Sequence, residues 1–492
     1  MSSIKFGTYT PPEEEKKENK IDVIVSVFFD GTLNNKANTT SRINDDNKYT
    51  WLFTKGDTSY ENDYSNIARL EMNYNAQVKP QETNNENKII TYETHSINVY
   101  VEGIGTMDGG DDLDAKYGTV TGMGRHGAKA KAEKSFKLIL KKLNKINLKE
   151  GTIINKISID AYGFSRGAAA ARHFLNSCSG RKKATLERNY KEKNGQKVYT
   201  DEENGWFDGI STEEYQEYTY GGDLGVYLKE KGVKFSKVEL RFAGLFDTVP
   251  SIGVFSHEND HKQLNLSLPS KLKKAVHITA TDEHRKNFEL RQISGASLTS
   301  SKRVEINLPG VHSDIGGGYN DAKKEKIRLS SSRSKAIILE DKKWLISQGW
   351  YTKNDLKITE IDTSYESESL GKVEQKNYTL HGYKASISNK YSFIPLHLMK
   401  DYAEKIHKNL FKPKINTSFK ISGDTLSAAN ERINDYIKQR DEIPHDLTSS
   451  EVTQKDISLI KKLRYHHFHF SASLDIGMAP EGYANNRKRT IY

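Results

Sequence analysis

The stretch Ile157–Ala171, ISIDAYGFSRGAAAA, decides the fold. An apolar run of strand length ends in Gly163-Phe164-Ser165-Arg166-Gly167, and four alanines, Ala168 to Ala171, follow at once. The pentapeptide has the pattern Gly-x-Ser-x-Gly. In a nucleophile elbow of this pattern, a serine sits on a sharp turn between strand and helix with its hydroxyl clear of the sheet. Glycines at the flanking positions relieve crowding at the turn. Gly and Ser are common residues, so the pattern alone says little. The strand-like run before it and the small-residue helix start after it supply the context.

Working outward, Lys129–Lys149 reads as an amphipathic helix with Phe136, Ile139, Leu140 and Leu143 on one face. It leads directly into the Ser165 strand, as a βαβ unit requires. Upstream, Asp22–Phe29 (DVIVSVFF) and Ser96–Glu102 (SINVYVE) read as strands, and Ser65–Met72 as a capped helix; 36–63 and 79–94 read as loop. The first strand runs into Asp30-Gly31-Thr32-Leu33-Asn34-Asn35, at the end where open α/β sheets place ligand groups. Downstream, Lys237–Phe246 (KVELRFAGLF) and Val304–Leu308 (VEINL) are strands. They end in Asp247-Thr248-Val249-Pro250 and in Pro309-Gly310-Val311-His312-Ser313-Asp314. Leu272–Thr279 and Asp282–Leu290 read as helix or helix–loop. Residues 320–390 read as irregular apart from a helix around Lys335–Ser347. Pro395–Lys408 and Thr425–Gln439 read as helices, and Tyr465–Ser473 (YHHFHFSAS) as a short strand.

These elements predict an α/β fold: an α/β-hydrolase-like, mostly parallel sheet flanked by helices. The expected organisation is a charged tail over 1–20, a catalytic domain over 21–320, and a mixed, largely helical region over 321–492 that packs on it. The charged, Tyr-rich segment 181–236, with Trp206 and Phe207 at its centre, reads as an insertion over the sheet edge or the active site. Together with 320–390 it is expected to form a cap or membrane-contact module.

Composition bounds the setting. At 492 residues, with 35% hydrophobic and 28% charged residues, the chain is a polar protein with room for a large core. No apolar run approaches the ~18–20 residues of a membrane span. The start, MSSIKFGTYTPPEEEKKENK, lacks the apolar core of a secretory signal. The chain is therefore expected to be made in the cytoplasm and to leave by another machine. The single cysteine, Cys178, allows no internal disulfide and reads as a small buried residue. The net charge of +10 suits an acidic partner such as anionic lipid, or a Lys-rich solvated surface. The acidic stretch Met107–Gly118, with Asp108, Asp111, Asp112 and Asp114, offers oxygens that calcium could use. Its spacing matches no known calcium loop, so it reads as a solvated loop. His466, His467 and His469 lack an acid or cysteine at ligand spacing. No cofactor and no metal site are expected, with calcium at the acidic stretch as the alternative.

Three polar side chains stand just after three strands: Ser165, Asp247 and His312, in the chain order of α/β-hydrolases. A hydroxyl needs a base to take its proton. His312 is the expected base and then the acid for the leaving group. Asp247 is the expected partner that fixes the imidazole tautomer. Asp314 is the alternative acid, although a near neighbour on one tight turn rarely reaches its own histidine squarely. His397 is the alternative base, in a setting that reads as a helix start. Oxyanion donors are expected from the Arg166 backbone N–H and from the turn at Gly31 or Thr32.

Taken together, Phe29-Asp30-Gly31-Thr32-x-Asn34, Gly103-Ile104-Gly105-Thr106, Gly163–Gly167, Gly244-x-x-Asp247-Thr248-Val249 and Gly310–Tyr319 resemble, in order, the α/β-hydrolase family DUF2235. That family includes the type VI secretion lipase effectors of the Tle1 class. The resemblance spans 21–320, and the HFSAS segment near the end resembles the family more weakly. It implies a phospholipase of A1 or A2 type acting on bacterial membrane glycerophospholipids. It also implies action in the periplasm or at the membrane of a rival cell, a cognate immunity protein, and a carrier such as VgrG or Hcp; nucleic acid is not an expected partner. Ser165, Asp247 and His312 take the triad positions by resemblance. The alternatives are a soluble carboxylesterase of the same fold and a non-enzymatic basic lipid-binding protein.

Overall fold

The computed structural model describes residues 18–46, 59–85, 88–110, 112, 127–146, 152–200, 209–250, 264–367, 371–373, 375–439, 453–475 and 477–492. In chain order the first strands are β1 (Glu18–Phe29), β2 (Val78–Asn85), β3 (Lys88–Val101) and β4 (Ile154–Phe164). There follow β5 (Arg181–Lys193), β6 (Gln196–Thr200), β7 (Ile210–Tyr220), β8 (Val238–Phe246), β9 (Lys274–Ala280) and β10 (Arg303–Leu308). Seven of them form the central sheet in the order β10-β9-β8-β4-β1-β3-β2. All neighbours are parallel except the edge pair β2–β3.

The chain first steps outward from β1 to β3, then returns past β1 to lay down β4, β8, β9 and β10 on the other side. The direction of winding therefore reverses between β1 and β4. The crevice beyond the carboxyl ends of those two strands is where open α/β sheets hold ligands.

The strand sequences explain the burial on both faces. Val23, Val25, Val27 and Phe29 of β1 and Ile157, Ile159 and Ala161 of β4 share one core with the helices Ala128–Leu143 and Arg166–Ser177. Phe28, Tyr162, Phe164 and Phe242 point to the other face, where they meet Ile67 and Leu70 of the helix Asn66–Met72. That second core runs on without a break into Trp350, Leu380, Ile394, Met399, Phe468 and Phe470. Cys178 is buried in the first core. Among the described residues no helix is long and apolar enough to cross a membrane.

Several local readings change. Of residues 79–94, those described, 79–85 and 88–94, are not loop but belong to β2 and β3, an antiparallel pair. A helix, Lys36–Ile43, capped by Asn35, opens the 36–63 segment. Lys274–Ala280 is a strand paired between β8 and β10 and buried on both faces, where a seven-residue apolar run does not by itself separate strand from helix. Asp282–Leu290 forms turns and isolated bridges, with no helix. Within 320–390, β11 (Lys323–Ser332), β12 (Leu356–Asp362) and β15 (Lys376–Ile387) pair as β11-β15-β12, and β13 (Tyr365–Ser367) pairs with β14 (Gly371–Val373). Tyr465 and His466 end the helix Gln454–His466, and no strand follows.

The 181–236 insertion is also placed differently from expectation. Its described part is a three-stranded antiparallel sheet, β6-β5-β7, followed by the helix Gly222–Glu230. It leaves from the far end of the helix Arg166–Ser177 and rejoins beside the start of β4, where Ile154 N–H donates to Lys234 O at 2.9 Å. β4 is 11 residues long. At about 3.3 Å per residue this puts the insertion's attachment to β4 roughly 35 Å from the end that carries Ser165. The described part is therefore no cap over the site. Trp206 and Phe207 lie outside the described residues.

Candidate active site

The β4-to-helix turn holds Ser165 at φ 58°, ψ −129°, a conformation that L residues avoid. The surroundings enforce it. Ser165 N–H donates to Phe246 O (3.0 Å), and Ser165 O accepts from Ala168 N–H (3.0 Å) and Val249 N–H (3.3 Å). Both flanking glycines are required by close approach of backbone. A Cβ on Gly163 would stand 2.5 Å from Ala168 Cα, and one on Gly167 would stand 2.2 Å from Asp30 O. The four alanines are all buried against the sheet.

Beside this turn, Asp247 ends β8 with φ 40°, also in the left-handed region. Its Oδ2 is 2.5 Å from His312 Nδ1. His312 opens a short helix, His312–Gly316, after β10. Its ring packs on Phe164, the residue before Ser165, at 4.6 Å between centroids, and on Phe288 at 5.0 Å. Ser165, Asp247 and His312 are all buried, at 4%, 0% and 3% exposure. Three strand ends thus bring together the three residues singled out from the sequence. Asp314, the alternative acid, turns away: its Oδ1 is 3.0 Å from His469 Nδ1, and its Oδ2 accepts from Val311 N–H. His397, the alternative base, contacts Phe419 O at 2.7 Å.

Burial pushes against a charged Asp247, but Arg489 and His312 outweigh it and hold the carboxyl well below the usual range. Asp247 is therefore ionised and accepts from Nδ1–H, which leaves Nε2 of a neutral imidazole without a proton. Burial also holds His312 below the ordinary histidine value, against the pull of Asp247. A neutral imidazole is the form a proton acceptor needs.

The turn after β1 supplies the opposite wall. Asp30 is buried and accepts from Ser65 Oγ (2.5 Å), Tyr100 OH (2.6 Å) and Gly31 N–H (2.7 Å). Burial raises its pKa to about 6 against these donors. Gly31 N–H is thereby committed to Asp30, so of the two expected donors at this turn only Thr32 N–H remains. The Arg166 side chain donates from Nε to Thr32 Oγ1 at 2.8 Å and ties this turn to the elbow. Asn34 N–H closes the turn onto Gly31 O (2.9 Å).

Several supporting residues carry no sequence signal. Arg489 reaches both oxygens of Asp247, at 2.7 and 2.8 Å. Glu283 accepts from His312 N–H at 3.2 Å and pairs with Arg285. His277 accepts from Thr248 N–H at 3.0 Å through Nε2, with its Nδ1 2.9 Å from Glu305. In the acidic stretch Asp112 accepts from Ser59 N–H at 2.5 Å, while Asp111 and Asp114 lie outside the described residues. Among the described residues no group of three His, Cys, Asp or Glu side chains is placed to hold a metal ion.

With this geometry in view, the sequence matches the family model described as "T6SS, Phospholipase effector Tle1-like, catalytic domain" over residues 24–347. The chain belongs to that family. The Tle1-like match takes in the elbow, Asp247 and His312, and ends before the segment that carries Arg489. A solved structure of the Tle1 effector bound to the VgrG spike from the type VI secretion system shares the fold. It aligns over 99% of this chain and 98% of that chain, at 20% identity and a TM-score of 0.57. A crystal structure of an uncharacterized protein from Pseudomonas aeruginosa aligns over 90% of this chain and 53% of that one, at 19% identity and a TM-score of 0.39. No curated protein matches the chain. The Tle1-like family is one of phospholipase effectors of type VI secretion, which makes this chain a lipid-acting hydrolase of that class.

Proposed function

We propose that this Tle1-like chain is a serine ester hydrolase, a phospholipase A of A1 or A2 type, working through Ser165, His312 and Asp247. The observation that carries the reading is the 2.5 Å contact of Asp247 with His312 Nδ1 beside a strained serine elbow. In the reaction, Ser165 Oγ attacks the acyl carbonyl while its proton passes to His312 Nε2. The oxyanion is held by the Arg166 and Thr32 backbone N–H groups, each such donor being worth a factor of about 10²–10³ in rate. His312 then protonates the departing lysophospholipid oxygen, leaving an acyl group on Ser165. Water, deprotonated by His312, releases the fatty acid and restores the serine.

The carrier is expected to be VgrG or Hcp, by the likeness to a Tle1 effector seen on a VgrG spike. The target is the membrane phospholipid of a rival cell, reached from its periplasm, and an immunity protein protects the producer. Side chains and backbone N–H groups of this chain carry each step, and the release is expected to survive chelation of calcium.

The test is incubation of purified protein with vesicles of defined phospholipids, with and without EDTA, and identification of the lyso-lipid and fatty acid released. Ser165→Ala should abolish release. Full activity in that variant, or a clear preference for a short soluble ester over vesicles, would overturn the reading.

A further inference from the structure

Arg489 is the strongest group near the site that the triad chemistry leaves unused. It arrives on a strap built from the last residues. Glu481 N–H donates to His284 O (2.8 Å) and Lys286 N–H to Ala479 O (2.9 Å). The strap then turns back on itself, with Glu481 bridged to Lys488. Leu290 N–H donates to Thr490 O (2.9 Å), Tyr492 N–H to Leu290 O (2.8 Å) and Gln292 N–H to Tyr492 O (2.8 Å). At the turn, the Arg487 guanidinium pairs with the fully buried Asp341 at 3.0 Å. The strap is thus laced to 284–292, the segment that places Phe288 on the His312 ring.

From this strap the Arg489 fork grips both Asp247 oxygens, while its Nε donates to Phe288 O at 2.7 Å. Its side chain is 6% exposed and that of Asp247 is 0%. An Arg–carboxylate fork fixes the plane of the carboxylate as well as its charge. Here that plane decides whether Oδ2 faces His312 Nδ1.

We propose that Arg489 is a positioning residue of the active site, which orients Asp247 and neutralises its charge so that His312 stays an unprotonated base. The inference rests on the triad reading of Ser165, His312 and Asp247. Without Arg489 the Asp247–His312 pair would carry an uncompensated buried negative charge, which stabilises the imidazolium. With Arg489 present, protonating His312 leaves a net positive buried cluster, which is disfavoured.

The other charged or titratable groups facing the pair are Glu283 and Arg285 beside His312, and His277 with Glu305 behind Thr248. They are unchanged in an Arg489 variant, so the comparison isolates Arg489.

The test follows the His312 imidazole by NMR with histidine-selective labelling, its signal assigned with His312→Gln. The pH dependence of kcat/KM for fatty acid release is measured alongside. In Arg489→Met the His312 titration and the acid limb of the rate profile should both move up by about one pH unit. Arg489→Lys, which keeps the charge and loses the fork, should hold the titration near the wild-type position with a lower kcat. Should Arg489→Met fail to fold, Arg489→Gln, whose amide can still donate to the Phe288 carbonyl, carries the same comparison. An unmoved titration in the neutral variant, or a rate loss equal at all pH values, overturns the proposal. Ser165→Ala separates the two readings: activity surviving in it would sink the triad, while the titration shift would still report on Arg489.

Discussion

Gly167→Ala sets two effects of opposite sign against each other. Gly167 lies in the first turn of the helix after Ser165, and alanine is the better helix former by about 1 kcal/mol. Propensity alone predicts a stabilised protein. The structure predicts the reverse, because the new Cβ would meet Asp30 O at 2.2 Å and Phe29 O at 2.5 Å. Ordinary contact between carbon and a carbonyl oxygen needs roughly 1 Å more, and both obstacles are backbone at the end of a central strand. The helix start must lift by about that distance, carrying Ser165 with it. Overpacking of this kind costs about 1–3 kcal/mol, which exceeds the propensity gain. A displacement of about 1 Å at the reacting atom costs on the order of 100-fold in rate. The assay pairs urea unfolding with kcat for fatty acid release from phospholipid vesicles. We expect a lower unfolding midpoint and a kcat reduced about 100-fold, with KM changed little. A variant that melts higher than wild type and keeps its kcat would refute the close packing of elbow on β1 and the placement of Ser165 that depends on it.

Three further outcomes are expected. Asp314→Asn should lower stability by about 1–3 kcal/mol through the lost contacts with His469 and Val311, while the pH profile of the rate keeps its wild-type shape; a displaced acid limb would return the acid role to Asp314. Asp160 of β4 and Arg241 of β8 form a buried pair, with Arg241 Nε donating to Asp160 Oδ1 at 2.7 Å; Asp160→Asn leaves that guanidinium with half its partner gone and should cost about 3–5 kcal/mol in urea unfolding, with the kcat of the folded fraction retained. Asp247, Asp282 and Glu283 are all depressed in the folded chain, so their stabilisation is complete above the ordinary carboxylate values and is lost as pH falls through the folded ones. For Glu283 that window runs from 4.5 down to about 2. Asp30, raised to about 6, acts in the opposite sense and adds stability as pH falls from about 6 toward 3.8. The buried histidines His284 and His467, both lowered to about 4, cost stability as pH falls below 6.5, so the unfolding midpoint should decline from there and drop more steeply below 4.5, where the carboxylates add their loss. Glu283→Gln should flatten part of that drop, by about 3 kcal/mol at full extent; an unchanged slope would show that Glu283 does not couple to folding.

What could be read from the sequence is what local chemistry records. DVIVSVFF and ISIDAYGF are buried on both faces, and each ends in a polar turn, so strand and site coincide in one stretch. The elbow was legible because a sharp turn and a close-packed helix both demand small residues, and GFSRGAAAA supplies them together. β9 was not legible: KAVHITA is only seven residues, too short for its apolar pattern to separate strand from helix. β2 and the first half of β3 carry no apolar pattern, since VKPQETNN is polar and lies at the sheet edge, whereas SINVYVE marks the second half of β3. The insertion was misplaced for a different reason. Its composition of charge and tyrosine gives no direction, and only the length of the helix before it sets which end of the sheet it leaves from. At the turn after β1 the sequence offers both Gly31 and Thr32, and only the structure shows that Gly31 N–H donates to Asp30 Oδ1.

Arg489 belongs with the residues that composition could not mark, and it shares a pattern with them. Four buried acids surround His312 on the loops after β8, β9 and β10: Asp247, Asp282, Glu283 and Asp314. Each takes a partner from beyond residue 450. Arg489 holds Asp247, Arg464 bonds Asp282 at 2.7 Å, Ser471 Oγ donates to Glu283 at 3.0 Å, and His469 pairs with Asp314. A buried carboxylate with no partner is strongly destabilising, more so than the same site filled by apolar groups. Glu283 has Arg285 on its own loop, but Asp247 and Asp282 take their cations from the last forty residues. The family model ends at residue 347, short of all four partners from beyond residue 450. Ser165, Asp247 and His312 all lie within that match, whereas these four partners of the buried acids lie beyond it, on the segment that closes the fold.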